Sequence, residues 1–433
     1  MMNDRSSTTD DADLQRMLTI LQRKEIDAAN DEAVKKILYG HPVLETVKPA
    51  KEVIKMPAHT FLHAGPPISW QEMCGPMKGA MIGACIYEKL AETPEHAERL
   101  LSSREINFAP CHHYNAVAPM AGVISPSMHV FVIRNKTYRN TAYSNMNEGL
   151  GRVLRFGAYG KEVINRLRWM EETLGPVLKI SVEKIGGVDL KNLTARALNM
   201  GDECHNRNMA STSLFLNTIF PALIASGIDT DAMKGVSKFL QQNDHFFLNL
   251  SMGACKAILD ASHGVRNCTI VTLMSRNGTE FGIKISGHDE WFTAKAPQVD
   301  GHYFHGYGAA DASPDLGDSS ITETCGLGAF AMAAAPAITQ FVGVNPTYAI
   351  NCTKEMYKIT LKKNPAYCIP NLNFSGVPTG IDLRKILVTG ILPIINTGIA
   401  HRLAGIGQIG AGMTKAPKEC FLNALRRCAE FLR

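Results

Sequence analysis

The sequence contains no CxxC pair. Its eleven cysteines, an odd number, also lack zinc-knuckle spacing. Neither a disulfide framework nor a structural zinc site is expected, and reduced thiols fit better. The P-loop pattern GxxxxGK[ST], the nucleophile elbow GxSxG and the helix HExxH are absent too. Excess charge is slight, +5 over 433 residues, which gives no dense basic face for nucleic acid. The opening stretch MMNDRSSTTDDADLQ is polar and acidic without an apolar signal region, so a cytoplasmic location is expected. Long apolar runs are scarce. Residues 324–352 carry no charge, but Pro336, Thr339, Gln340, Asn345, Pro346 and Asn351 interrupt them. That composition suits close packing inside a protein better than lipid, and it predicts a buried helix, a turn and a second helix.

Hydrophobic residues make up 45% of the chain and charged ones 20%, an ordinary globular balance. Apolar spacing predicts two short helices over 12–39, a connection over 41–57 and a strand over 60–64. Ser69 with Glu72 forms a capping box that should open a helix, broken or kinked at Gly75-Pro76 before a second helix to about Leu90. Residues 105–135 read as β-rich and 146–262 as mainly helical. Asn277-Gly278 between two apolar runs signals a hairpin, and 415–432 reads as an amphipathic helix. Helices and strands are segregated, so the fold class is α+β: multi-subdomain, helix-rich, with small separate β-sheets. The expected division is a helical segment 1–58, an α/β subdomain 59–145, a helical subdomain 146–264 and an α+β subdomain 265–433 with a glycine-rich C-terminal region.

Three polar clusters are candidate chemistry. Pro110-Cys111-His112-His113-Tyr114-Asn115 ends a predicted strand, where alternation would put Cys111 and His113 on one side and His112 on the other. His112 and His113 are catalytic candidates for proton transfer, and a strand end with one hydrogen-bonded histidine remains open. The turn 201–208 (GDECHNRN) precedes a helix, whose free amides and Arg207 could hold an anion. Glu203 and His205 are its catalytic candidates and Asn208 a further ligand group, against the alternative of a capped turn. His245 and Asn249, one helical turn apart, make a third cluster, with Asn243 or Asp244 serving equally well as a helix cap. Asn115, Arg276 and Asn277 complete the substrate-binding candidates. His302 and His305 read as a surface loop. Gly405–Gly410 matches GxGxxG, but 23 residues remain after it, too few for the strand and acid of a dinucleotide site. No metal or other cofactor is expected, although a metal remains compatible with the histidines; phosphate or carbamoyl phosphate enters only as substrate.

As a set, the motifs 63–68 (HAGPPI), 74–80, 110–128, 147–157, 200–208, 243–252, 276–279, 316–324, 330–338, 376–382 and 389–412 resemble those of the bacterial YlbE/AllG-like family, over roughly residues 27–430. The resemblance implies an α+β architecture. It also implies a role as one subunit of an oxamate carbamoyltransferase of allantoin degradation, converting oxalurate and phosphate to oxamate and carbamoyl phosphate. Its implied partners are an FdrA-like subunit resembling acyl-CoA synthetases and a smaller third subunit, with a homo-oligomer also expected. It transfers no catalytic residues. The chain lacks the Ser-Thr-Arg-Thr and His-Pro-x-Gln motifs of ordinary carbamoyltransferases; His41-Pro42 is followed by Val-Leu. A stand-alone amidohydrolase or lyase acting on a ureido or amide carboxylate, and a non-catalytic scaffold subunit, are the alternatives.

Overall fold

The structure, a computed structural model, describes residues 14–431. The first thirteen residues of the polar N-terminal stretch lie outside that range. Helices at 14–20 and Lys24–Tyr39 match the expected pair. Strands pair into five separate sheets among the described residues, and the fold is α+β as expected. The five-stranded sheet runs Ala116–Val117, Thr141–Asn145, His129–Asn135, Pro42–Pro49 and Val188–Asp189, drawing on three of the four segments outlined above.

The helix Phe246–Ser262 organises the interior. Fifteen of its seventeen residues are buried, as expected for a helix apolar on nearly every side. It packs on the five-stranded sheet and on the helix Lys24–Tyr39. A Cβ on Gly253 would come within 2.3 Å of Ile133 Cδ1 and 3.3 Å of Ser144 Cβ, so glycine lets the helix lie close on the sheet without Ile133 moving. The hairpin expected around Asn277-Gly278 is present as strands Val271–Asn277 and Glu280–Ile285. The terminal helix is Lys418–Phe431.

Several expectations need correction. Residues 41–57 are not a connection: Pro42–Pro49 is an internal strand of the five-stranded sheet. A bulge between Leu44 and Thr46 spaces the buried Leu44 and Val47 three residues apart, which hides the two-residue period of a strand. Ser69 and Glu72 do bond, with Oγ to Oε2 at 2.7 Å, but they close a turn. The helix starts at Gly75 with Pro76 in its first turn, where proline's missing N–H costs nothing. Residues 324–352 hold a run of 3₁₀ turns at Gly328–Ala334 and helices Ile338–Val342 and Pro346–Met356, rather than two helices. Among the described residues no helix is long and apolar enough to cross a membrane. The GxGxxG match joins antiparallel strands Ile394–Ala400 and Gln408–Lys415, so no βαβ unit surrounds it.

Arg276, on strand Val271–Asn277, locks this strand to its neighbours. It is fully buried. Its Nε and Nη2 donate to the two oxygens of Asp315 at 2.7 and 2.8 Å, Nη2 also to Thr397 Oγ1 at 3.1 Å, and Nη1 to Gly317 O at 2.8 Å and Ser319 Oγ at 3.4 Å. Thr397 belongs to the strand Ile394–Ala400, so the guanidinium joins two sheets. All five N–H groups are used, and none remains for the substrate role expected of Arg276. Replacement by methionine strands a buried carboxylate. Arg276→Met is expected to lose about 3–5 kcal/mol of stability, measured by chemical denaturation; a loss below about 1 kcal/mol, the range of an exposed pair, would contradict the lock.

Candidate functional site

Asp315, Asp318 and Glu323 are the only charged residues between Asp311 and Lys354. All three are buried, and each meets a basic side chain from elsewhere in the chain. Asp318 accepts from the Gly65 amide at 2.8 Å, the Ala118 amide at 2.9 Å and Ser275 Oγ. His112 Nε2 stands 3.1 Å from it, off the ideal hydrogen-bond line. Burial alone would raise the Asp318 carboxyl, but His112, Ser275 and the Gly65 amide outweigh it and hold it below its ordinary range. Burial lowers His112 against the pull of Asp318.

The strand alternation expected at His112 does not occur. Pro110 ends the strand, and Cys111–Tyr114 forms a 3₁₀ turn closed by Asn115 in the left-handed region at φ 54°. Cys111 and His112 are buried, while His113 and Asn115 are exposed. His112, His113 and Asn115 line a cavity of about 760 Å³ with Lys256, Lys284 and Trp291. Trp291 Nε1 donates to His113 Nε2 at 3.0 Å. Each lysine already has an acid, Asp260 at 2.6 Å and Asp289 at 2.7 Å. Burial lowers His112, His113 and His263 alike. With Glu290 also on its wall, the cavity is polar without being cationic, a weak electrostatic match for a dianion.

The turn 201–208 sits at the other end of the helix Phe246–Ser262, with Ser251 Oγ donating to Cys204 O at 2.9 Å. Its free amides, expected to hold an anion, serve the chain's own carboxylates. Asp202 Oδ2 accepts from Ser211 N at 2.8 Å and Ser211 Oγ at 3.0 Å. Glu203 accepts from the His205 and Arg207 amides at 3.0 and 2.6 Å. Arg207 donates Nε to Gly201 O at 3.0 Å and lies 3.7 Å from Asp202; it is half-buried. His205 Nδ1 meets Glu323 at 2.8 and 3.0 Å. Glu323 also accepts from the Ala329 amide at 3.1 Å and Thr322 Oγ1 at 3.0 Å. A Cβ on Gly328 would come within 2.2 Å of Glu323 Oε1, so only glycine lets the chain pass this carboxylate. Burial pushes the Glu203 carboxyl up to about 7, with His205 and the Arg207 amide opposing and Glu323 and Asp202 adding to the rise.

Buried polar atoms without a hydrogen-bond partner among the described residues occur here: Nδ2 and Oδ1 of Asn396, Oδ1 of Asn208, Nδ2 of Asn206 and Oδ1 of Asp202, the last facing Arg207. The Asn396 amide is 3.4 Å from Glu323 Oε1. Buried polar groups are almost always paired, so these atoms make the turn a candidate for ligand contact, as the unpartnered Nδ1 and Nε2 of His112 and Oδ2 of Asp260 do for the cavity. Burial pushes His245 down to about 3, with the charges of Arg155 and His205 adding to the drop; His245, not Asn243 or Asp244, is the residue at the helix cap. Asn249 is fully engaged, with Nδ2 on Asn145 O and Oδ1 at 2.7 Å each and Oδ1 taking Asn147 Nδ2 at 2.8 Å. Asn277 donates to Pro66 O and caps the Thr279 and Glu280 amides. Both are structural here, like Arg276, instead of open to substrate.

The two histidine clusters therefore do not share the described cavity, which omits Glu203, His205 and Arg207. They are linked instead. The segment 315–323 holds both imidazoles, and the turn after Ala118 carries Ala121, whose amide donates to Arg155 O at 3.0 Å. Among the described residues no group of three or more His, Cys, Asp or Glu is placed to hold a metal ion. Asp318, Glu323, Asn396 and Arg155 were not singled out from sequence; the isolated acids of an otherwise uncharged stretch were the available signal for the first two.

Because Glu203 binds its proton more tightly folded than unfolded, its contribution to stability falls as pH rises from its ordinary 4.5 to about 7. Glu203→Gln removes that slope, so wild-type stability relative to the variant should decline across this range in urea unfolding. Parallel curves would contradict a raised Glu203.

A family model for the oxamate carbamoyltransferase subunit AllG matches residues 106–319. The chain is 47% identical over 403 residues to the uncharacterized protein YahG of Escherichia coli (strain K12), covering 93% of this chain and 85% of that one. It is 46% identical over 407 residues to the oxamate carbamoyltransferase subunit AllG of the same organism, covering 93% and 97%. A crystal structure of a conserved protein of unknown function from Enterococcus faecalis V583 matches with a TM-score of 0.93 and 48% identity, over 95% of this chain and 99% of that one. The chain belongs to the AllG-like family, that of the oxamate carbamoyltransferase subunit.

Proposed function

We propose that this chain is the subunit of a cytoplasmic oxamate carbamoyltransferase that carries the proton-transfer groups for oxalurate phosphorolysis in allantoin nitrogen catabolism. A phosphate oxygen bonds to the carbamoyl carbon, the bond from that carbon to the oxamate nitrogen breaks, and the nitrogen takes up a proton. The observation that carries this reading is the Glu203–His205–Glu323 cluster. A carboxyl whose pKa lies near 7 suits donation to a leaving nitrogen at neutral pH. Glu323 fixes the proton of His205 on Nδ1, which leaves Nε2 to accept the proton of the attacking phosphate. The unpartnered Nδ2 of Asn206, Oδ1 of Asn208 and both side-chain polar atoms of Asn396 match the C=O and N–H groups of a ureido acid.

Glu203, His205, Glu323 and Asn396 are all buried. A sealed centre supports turnover within an assembly, with the FdrA-like and smaller subunits as proposed partners, over a stand-alone amidohydrolase. The test is phosphate-dependent oxalurate cleavage by the reconstituted complex. His205→Ala and Glu203→Gln should each lower kcat by about 10²–10⁴ while the complex still assembles. Unchanged turnover in both would leave the chain a scaffold, and phosphate-independent cleavage by the lone chain would favour the amidohydrolase.

A further inference from the structure

The chain buries two arginines in opposite ways. Arg276 places all five N–H groups on fixed partners, a bidentate carboxylate among them. Arg155, in the turn Leu154–Phe156, is 4% exposed and donates only to a single carbonyl: Nε and Nη2 reach Gly149 O at 3.2 and 2.8 Å. Its Nη1 has no hydrogen-bond partner among the described residues. The adjacent acid, Glu148, is turned away, accepting from the backbone amides of Leu154 at 2.6 Å and Arg155 at 3.2 Å. Burial lowers Arg155 to about 10, with Glu148 opposing, so it keeps its charge at neutral pH. A buried guanidinium with spare donors and no bonded carboxylate is half of a recognition pair.

We propose that Arg155 anchors the carboxylate end of the ureido or amide acid, with Gly149 O occupying the place of one carboxylate oxygen until the ligand displaces it. The proposal rests on the reading of the Glu203–His205–Glu323 centre as the reactive site. Three observations converge on it. The fork of Nε and Nη2 is the edge that arginine presents to carboxylates. The loop that carries this carbonyl bears Gly149 and Gly151 at φ +95° and +87°, residues with no Cβ to oppose backbone reorientation, and exposes Leu150, Gly151 and Arg152. His245 lies within the field of both Arg155 and His205, and its backbone carbonyl takes Asn147 Nδ2 at 3.1 Å. Gly149 N in turn donates to Asn147 Oδ1 at 2.9 Å, so hydrogen bonds run from the guanidinium through Gly149 and Asn147 to the His245 turn, and the carboxylate of a ureido acid lies only two bonds from the leaving oxamate nitrogen.

The experiment measures calorimetric binding of oxamate and of oxamide, its neutral counterpart, to the full chain and to the reconstituted complex. Wild type should bind oxamate at least tenfold more tightly than oxamide in one of these forms. Arg155→Lys, which keeps the charge but loses the fork, should remove at least tenfold of the oxamate affinity and leave oxamide unchanged. A structure of the wild-type protein with oxamate should place a carboxylate oxygen against the Arg155 fork, independently of any variant's stability. Equal binding of the two ligands, no binding of oxamate, or a carboxylate bound away from Arg155 overturns the proposal. Oxamate held at Arg155 in a protein that does not cleave oxalurate would sink the proposed reaction and keep the anchor.

Discussion

Three buried carboxylates within nine residues, Asp315, Asp318 and Glu323, set the geometry on which the rest of the molecule depends. Each grips a basic side chain distant in sequence: Arg276, His112 and His205. A carboxylate out of water must be supplied with donors, and here the backbone supplies them. The amides of Gly65 and Ala118 converge on Asp318, and those of Ala329 and Asn396 on Glu323. Small residues make the approach possible. A Cβ on Gly317 would lie 2.4 Å from Met120 N, and its φ of +111° is one that glycine alone adopts freely. Stability and imidazole orientation thus share one segment: its first acid joins two sheets, and the next two fix the histidines.

Sequence signals and structure agree where the chain acts locally. The Asn277-Gly278 hairpin, the terminal helix and the separation of helices from strands follow from turn chemistry and periodicity. Pro42–Pro49 was missed because a bulge displaces its apolar residues from alternation. At the candidate site, the dense polar turns pointed to His112, Glu203 and His205, yet their orienting acids were not apparent. Glu323 is 118 residues from His205, and no spacing rule spans that distance. Arg276, Asn277 and Asn249 drew attention for the same reason as Arg207: polar residues in a motif look alike whether their hydrogen bonds are spent within the chain or kept for a ligand. Only their partners separate the two cases.

That distinction also ranks the two places where chemistry is conceivable. The large cavity beside His112 is open, but its lysines are neutralised by their own acids and its histidines are depressed by burial. The cluster around His205 is closed, but holds the unmatched amides and the acid raised to about 7. Electrostatic preorganisation favours the second.

The central claim is that the 315–323 segment assigns each imidazole its tautomer, and ¹⁵N-histidine NMR at neutral pH reads this most directly, with His112→Gln and His205→Gln used for assignment. The predicted protons sit on opposite ring nitrogens: on Nε2 of His112, facing Asp318, and on Nδ1 of His205, facing Glu323. Finding both rings in the same tautomer, or His205 with its proton on Nε2, would contradict it.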